Sequence, residues 1–514
     1  MWQQDAIDKI EAKRTAARMG GGEARIEKQH AQGKLTARER LAFLFDPGTF
    51  QEMGAWIESR CMDFGMEKKR VPGDGVVTGY GEIGGRLVFA SSQDFTVSGG
   101  AGGEEYAYKI CDALQMAIDA RAPFIMLNDS GGARIQEGIA SLAGFSKLFA
   151  LNTLASGLIP QIVAIMGPCA GGASYSPAIC DFIFMVDKTS QMYLTGPQVI
   201  KSVTGEDVTV EALGGAAVHA SKSGVAHFVY PDDESCLSGV KRLLTYLPQS
   251  CEQAPANVPG KPMDLCRGLP EVVVENHRLG YDVRAVIGAF VDKRSFFEVH
   301  KDFAMNIVVG LARMDGDTVG VVANQPRYLG GSLDYHAADK AARFIRFCDC
   351  FNIPLITLVD VPGFLPGKEQ EYAGAIRHGA KMPYAFSEAT VPKICLILRK
   401  AYGGGFGAMN GKSMSADVVY AWPIAQIAVM GAAGAVNIIF RKQIQEAADP
   451  EAERARLIAE YEQTFMNPYV AAARGFVDEV IHPEETRARL AGALRMLKNK
   501  KVQRPPKKHG NMPL

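Results

Sequence analysis

At 514 residues the chain is long enough for two full hydrophobic cores, and its 56 basic and 56 acidic side chains cancel. A net charge of zero implies no polyanionic partner, so nucleic acid is not expected. The ten cysteines contain no CxxC pair, which argues against a zinc site or a disulfide framework; with no leader-like start and no apolar run of about 18 residues, a reducing, cytoplasmic protein is expected.

Residues 1 to 45 are rich in Ala, Glu, Lys and Arg and read as helices broken at Gly20-Gly21-Gly22. A loop from Gly65 to Gly75 carries Lys68, Lys69 and Arg70. Two strands with a turn at Gly84-Gly85 follow, then a helix over Ala107 to Ala120 and the strand APFIMLND. Ser130-Gly131-Gly132-Ala133-Arg134 opens the next helix, which is expected to run to Leu154. The β-branched run Ile159 to Ile165 reads as a buried strand ending at Gly167-Pro168, ahead of CAGGASYSP. GVAHFVY from Gly224 reads as a strand, and Leu247 to Pro270, with five prolines, as a linker. Asp449-Pro450 is a helix-start signal for a charged helix to Gln463. The basic tail Lys498 to His509 is expected to be solvated.

The second half repeats the first at a constant offset. Gly79 pairs with Gly310, Gly99 with Gly330 and Pro123 with Pro354, each 231 residues on, while Pro160 and Gly171 pair with Pro392 and Gly403, 232 on. Alternating strands and helices, with continuously apolar inner strands, argue an α/β fold made twice, over 1–255 and 256–514.

Each copy ends a buried strand in a glycine run, Gly171-Gly172 and Gly403-Gly404-Gly405. Bare backbone there lets a ligand approach closely, and the first N–H groups of a following helix are donors suited to an oxyanion. Other chemistry fits less well. GFGAMNGKS lacks the glycine a phosphate loop needs where Phe406 stands, and GASYS has Ser176 where a nucleophile elbow needs Gly. No His sits in a suggestive setting, His378 included. Asp129 and Asp360 end equivalent strands and read either as acid–base groups or as turn caps. Arg134 reads either as a phosphate ligand or as the ion-pair partner of Glu137, and Lys381 and Lys412 are weaker phosphate candidates. Two donor sites without acid–base apparatus suit a reaction that forms an enolate on each of two partners.

NDSGGARIQEG, MGPCAGGASYSP, TGPQVIKSVTGEDV, DVPGFLPG, QEYAGAIRHGAK, RKAYGGGFGAM and KKHGNMPL together resemble the carboxyltransferase subunits of biotin-dependent acyl-CoA carboxylases and decarboxylases, from Arg25 to Leu514. The resemblance implies two tandem crotonase-like domains, an N-terminal one on the acyl-CoA side and a C-terminal one on the carboxybiotin side. It implies that Gly171 and Gly172 hold the thioester enolate while Gly404 and Gly405 hold the biotin enolate left when carboxybiotin releases CO2. Biotin then takes the α-proton, and the thioester enolate attacks CO2. Ala133, Arg134, Ala170, Tyr175, Phe406 and Gly407 are the substrate-binding residues so implied. The family usually has Ala at the position of Gly405 and a larger residue at that of Gly407. Biotin is expected on a separate carrier protein, with no metal in this subunit, and the assembly as a homohexamer made of three head-to-tail dimers. Propionyl-CoA carboxylation with a biotin carboxylase partner is the leading reading. The subunit of a sodium-pumping methylmalonyl-CoA decarboxylase, partnered by a membrane subunit, is the alternative, and an inactive CoA-binding scaffold a third.

Overall fold

The apolar strands expected from the sequence assemble into two sheets of the same design. The computed structural model describes residues 3–259, 268–274 and 276–511. Within it the chain divides into two units, Met1–Ala254 and Pro255–Leu514. Residues 260–267 of the proline-rich linker and the last three residues of KKHGNMPL lie outside the described residues.

In the first unit the strands are β1 (Gln51–Met53), β2 (Val76–Ile83), β3 (Arg86–Gln93), β4 (Phe124–Ser130), β5 (Gln161–Ala170), β6 (Phe182–Val186), β7 (Gln191–Tyr193) and β8 (Phe228–Tyr230). The spatial order is β1-β2-β3-β4-β5-β6-β8, with β7 beside β5. The second unit has β9 (Phe297–Val299), β10 (Ile307–Met314), β11 (Asp317–Asn324), β12 (Leu355–Val361), β13 (Lys393–Tyr402), β14 (Val418–Ala421), β15 (Gln426–Ala428) and β16 (Glu479–Val480). Its order, β16-β14-β13-β12-β11-β10-β9 with β15 beside β13, is the same path.

The register repeats as well. β3 pairs with β4 through Phe89 and Phe124, and β11 with β12 through Gly320 and Leu355, both 231 residues on. A register shift falls between Asn128 and Ser130 in β4 and between Val359 and Val361 in β12. All seven residues of β4 and of β12 are buried, because helices cover the sheets. The helix Glu104–Asp119 lays Tyr106, Ile110, Leu114 and Ala117 on the first sheet, the spacing of one helical face.

Several expectations change in extent. β5 and β13 run on through Gly167-Pro168 and Arg399-Lys400, because β7 and β15 pair with their last three residues. The strand read from Gly224 shortens to Phe228–Tyr230. The charged helix spans Pro450–Phe465, and the Asp449 carboxylate accepts from the N–H groups of Glu451 and Ala452. The basic tail is exposed from Lys501 to His509, as expected, and two of its lysines are paired, Lys500 with Asp417 at 2.7 Å and Lys507 with Glu388.

Each central strand ends in a buried carboxylate. Asp129 is fully buried and takes Lys34 at 2.7 Å and Arg40 at 3.0 Å, with Gln29 also donating at 3.0 Å. Asp360 is 1% exposed and takes Arg399 at 2.8 Å. Arg399 stands on β13 itself, whereas the equivalent residue of β5 is Gly167, where a Cβ would fall 1.9 Å from the Asp129 carboxylate and 2.7 Å from the Lys34 ammonium. The first unit therefore draws its cations from N-terminal residues: Lys34 and the helix Ala37–Leu44, whose Thr36 and Glu39 form a capping box. Removing one partner of a buried pair leaves an uncompensated charge and costs about 3–5 kcal/mol. Arg399→Met should lower the unfolding free energy of the second unit by that amount, read as a lower urea midpoint. A midpoint unchanged from wild type would show that Asp360 does not need its partner.

Candidate functional site

β5 and β13 each deliver the chain into a glycine turn. The first is a 3-10 turn, Gly171–Ser174, followed by the short helix Tyr175–Ile179; the second is the α-helical turn Gly403–Ala408. Gly171 at φ +56° and Gly403 at φ +52° open them in the left-handed region, which glycine enters without strain. These two are the structural equivalents, so the expected pairs Gly171-Gly172 and Gly404-Gly405 stand one residue apart in register.

The turn type accounts for the slip. A 3-10 turn takes up backbone N–H groups from its third residue, leaving those of Gly171 and Gly172 without intrahelical acceptors. An α turn takes them up later, so Gly405 keeps a spare N–H after Gly403 and Gly404. None of these five N–H groups donates in a turn, loop or cap hydrogen bond among the described residues. Gly404 is exposed with nothing within 4 Å of an added Cβ, while Gly405 is buried, where a Cβ would fall 2.8 Å from the Gly363 Cα.

The carboxylates at the ends of the central strands are both held in buried ion pairs. Asp129 and Asp360 are held by the cations described above, and Lys400 N–H donates to Asp360 at 3.1 Å. They are ion-pair acceptors, neither acid–base groups nor turn caps. Arg134 is 2% exposed and donates to Asp74 at 2.8 Å, Glu137 at 2.7 Å and the Ala101 carbonyl at 3.0 Å. The phosphate reading of Arg134 fails on this burial, and the Glu137 pair stands with Asp74 added. His378 pairs with Asp339 at 2.7 Å, and Lys381 reaches the same carboxylate at 2.6 Å. Lys412 is taken by Asp478 at 2.7 Å.

A model of the carboxyl transferase domain matches residues 28–512. The chain belongs to that family. It is 55% identical over 516 residues to the propionyl-CoA carboxylase carboxyltransferase subunit of Haloferax mediterranei, covering 100% of both chains. It is also 55% identical over 512 residues to the methylmalonyl-CoA decarboxylase subunit alpha of Propionigenium modestum, covering 99% of each. The crystal structure of transcarboxylase 12S, a hexamer assembly with methylmalonyl-coenzyme A and methylmalonic acid bound, matches with a TM-score of 0.98 at 54% identity, covering 100% of this chain and 99% of that one. The fold is the tandem crotonase-like one, and the protein is an acyl-CoA carboxyltransferase of the propionyl-CoA carboxylase type.

The remaining residues of interest in this carboxyltransferase distribute around the turns. Ala170 is the last residue of β5, and a Cβ on Gly132 would fall 2.8 Å from its carbonyl oxygen, which puts the Gly131–Arg134 loop beside the first turn. Ala133 packs on the core next to it. Tyr175 is 51% exposed, its ring 5.8 Å from that of Phe149. The Phe406 ring covers Gly411, and Gly407 faces open space. Reasoning from sequence missed Lys34 and Arg40, which no local spacing marks.

These surroundings separate two alanine substitutions. Gly403→Ala strains a left-handed residue and brings a Cβ to 2.8 Å from the Val429 carbonyl oxygen. It should destabilise by about 1–3 kcal/mol, seen as a lower thermal midpoint. Gly407→Ala meets nothing within 4 Å and should leave the midpoint unchanged. Equal midpoints for the two variants would contradict this placement.

Proposed function

We propose that the two glycine turns are the oxyanion holes of one carboxyl transfer between carrier-borne biotin and a short-chain acyl-CoA, most readily propionyl-CoA to methylmalonyl-CoA. The observation that carries this reading is the equivalence of Gly171 and Gly403: both open short helices at the ends of equivalent strands, at φ +56° and +52°. The N–H groups of Gly171 and Gly172 take the thioester oxygen of the acyl-CoA. They stabilise it as charge develops there when the α-carbon loses its proton, each donor being worth about 3 kcal/mol of barrier. Gly404 and Gly405 take the ureido oxygen of biotin. The bare, exposed backbone at Gly404 fits that group, since a side chain there would fill the approach. Biotin, when bound, supplies the carboxyl group in one direction and receives it in the other. The chain contributes donors and no base, consistent with the pairing of Asp129 and Asp360.

A separate biotin carrier protein and a biotin carboxylase subunit are the partners of this reading. The equal 55% identity to a decarboxylase alpha subunit supports the second one, the same half-reaction run backwards beside a membrane subunit. Among the described residues no helix is long and apolar enough to cross a membrane. The chain should release CO2 from methylmalonyl-CoA with free biotin as acceptor; a rate no higher than background would leave only the scaffold reading.

The holes of one site belong to two chains of a head-to-tail dimer, three dimers making a hexamer. Gly172→Val and Gly404→Val should each abolish activity. Co-expressed, they should restore about a quarter of the wild-type rate, because half of randomly paired dimers are mixed and one of their two sites is intact. Mixed oligomers as inactive as either variant would place both holes of a site in one chain.

Gly407, beside the second pair, sets the room for the acyl group. Gly407→Ile should lower kcat/KM for butyryl-CoA relative to propionyl-CoA, and an unchanged ratio would remove Gly407 from the pocket.

A further inference from the structure

Each glycine turn leaves its sheet beside a three-residue strand, β7 in the first unit and β15 in the second, and these two straps are fastened differently. In the second unit Tyr402, the residue before Gly403, donates its hydroxyl to the Gln426 side chain on β15. In the first unit the matching residue is Ala170, whose methyl group cannot reach across. β7 pairs with the end of β5 through Pro168 and Gln191, Cys169 and Met192, and Ala170 and Tyr193. The carbonyl oxygen of Leu194, the next residue, lies 3.7 Å from where a Cβ on Gly171 would stand. The level of β7 therefore sets how Gly171 and Gly172 leave the sheet. On its other edge β7 has an isolated bridge, Gln191 to Gly215. So short a strand is marginal without a further tie.

His219 supplies that tie. Its Nε2 lies 2.6 Å from the Met192 carbonyl oxygen and its Nδ1 2.7 Å from the Ser223 hydroxyl. A carbonyl only accepts, so Nε2 carries the proton and donates. In the neutral ring Nδ1 then accepts from the Ser223 hydroxyl, whose oxygen accepts from the Val225 N–H at 3.3 Å. Two local features serve this arrangement. Residues His219–Ser223 form a π-helical turn, the only one among the described residues and a rare conformation that recurs at functional sites. Gly214 approaches so closely that a Cβ there would fall 2.1 Å from the Met192 carbonyl oxygen and 3.3 Å from His219 Nε2. Any side chain at that position would push strand and imidazole apart.

We infer that His219 is a positioning residue for the first oxyanion hole: by holding the Met192 carbonyl it fixes β7 and, through Cys169 and Ala170, the direction of the Gly171 and Gly172 N–H groups. The inference rests on the first turn being that hole. Donors slightly out of place still admit the thioester but answer the developing oxyanion less well, so kcat falls while KM holds. The test uses the assembled enzyme with methylmalonyl-CoA as substrate and free biotin as acceptor, and compares His219→Gln, His219→Asn, Ser223→Ala and Gly172→Val. A glutamine amide nitrogen can take the place of Nε2 and keep the bond to Met192, whereas the shorter asparagine amide reaches only the place of Nδ1. His219→Asn should lower kcat about tenfold or more with KM for methylmalonyl-CoA unchanged, and His219→Gln should return kcat to within about twofold of wild type. Ser223→Ala releases the tautomer alone and should lower kcat about threefold. If His219→Asn fails to assemble, an unchanged kcat in Ser223→Ala overturns the assignment. So does a wild-type kcat in His219→Asn, a kcat in His219→Gln no higher than in His219→Asn, or a rise in KM in place of the fall in kcat. Gly172→Val separates the two readings. If it keeps the wild-type kcat, the first turn is not the hole; if it is dead while His219→Asn is fully active, His219 alone is rejected.

Discussion

Everything at the ends of the central strands depends on two carboxylates that have been taken out of water. Asp129 and Asp360 sit where β4 and β12 shift register, one residue before the chain leaves the sheet. A buried carboxylate is tolerated only when cations and N–H groups answer it. Those answers come from the neighbouring elements that deliver the glycine turns. Arg399 and the N–H of Lys400 on β13 bind Asp360, and Arg40 reaches from Asp129 to the Met166 carbonyl of β5. The charge thereby locks the strand end that carries each turn, and a donor pair that must not reorganise during a reaction gains a fixed base.

The two turns then solve one geometric problem in two ways. Both begin with a left-handed glycine, yet one closes as a 3-10 turn and the other as an α turn. In the second, Gly405 lies against the Gly363 backbone and the Val361 side chain, a contact that leaves no room for a side chain of its own. The equivalent residue of the first is Ala173, buried in the core. A difference of one side chain thus accompanies a difference of one N–H without an intrahelical acceptor, and the two turns are related without being identical.

Much of this was legible in the sequence. The offset of 231 to 232 residues is carried by glycines and prolines, whose backbone preferences fix turns and strand starts, so the duplication and the α/β order could be read directly. The glycine runs announced themselves because they recur after equivalent buried strands in both halves. The partners of charged groups could not be read. Arg134 finds Asp74, 60 residues upstream, and Asp129 finds Arg40, 89 residues upstream. No local spacing marks such pairs, which is why Arg134 stayed open between a ligand and a neighbour.

The different origins of the two clamps bear on how the halves come off the ribosome. In the second half, Asp360 and Arg399 are 39 residues apart, and the pair can close as soon as β13 has been made. In the first, Arg40 must wait for Asp129 and then for Asp233, 193 residues later, before its guanidinium is fully answered. Long separations close slowly because the intervening chain must be ordered first. The N-terminal half, although synthesised earlier, therefore holds an unanswered arginine for most of its own translation. It is the half more exposed to chaperone capture and misassembly while the chain grows.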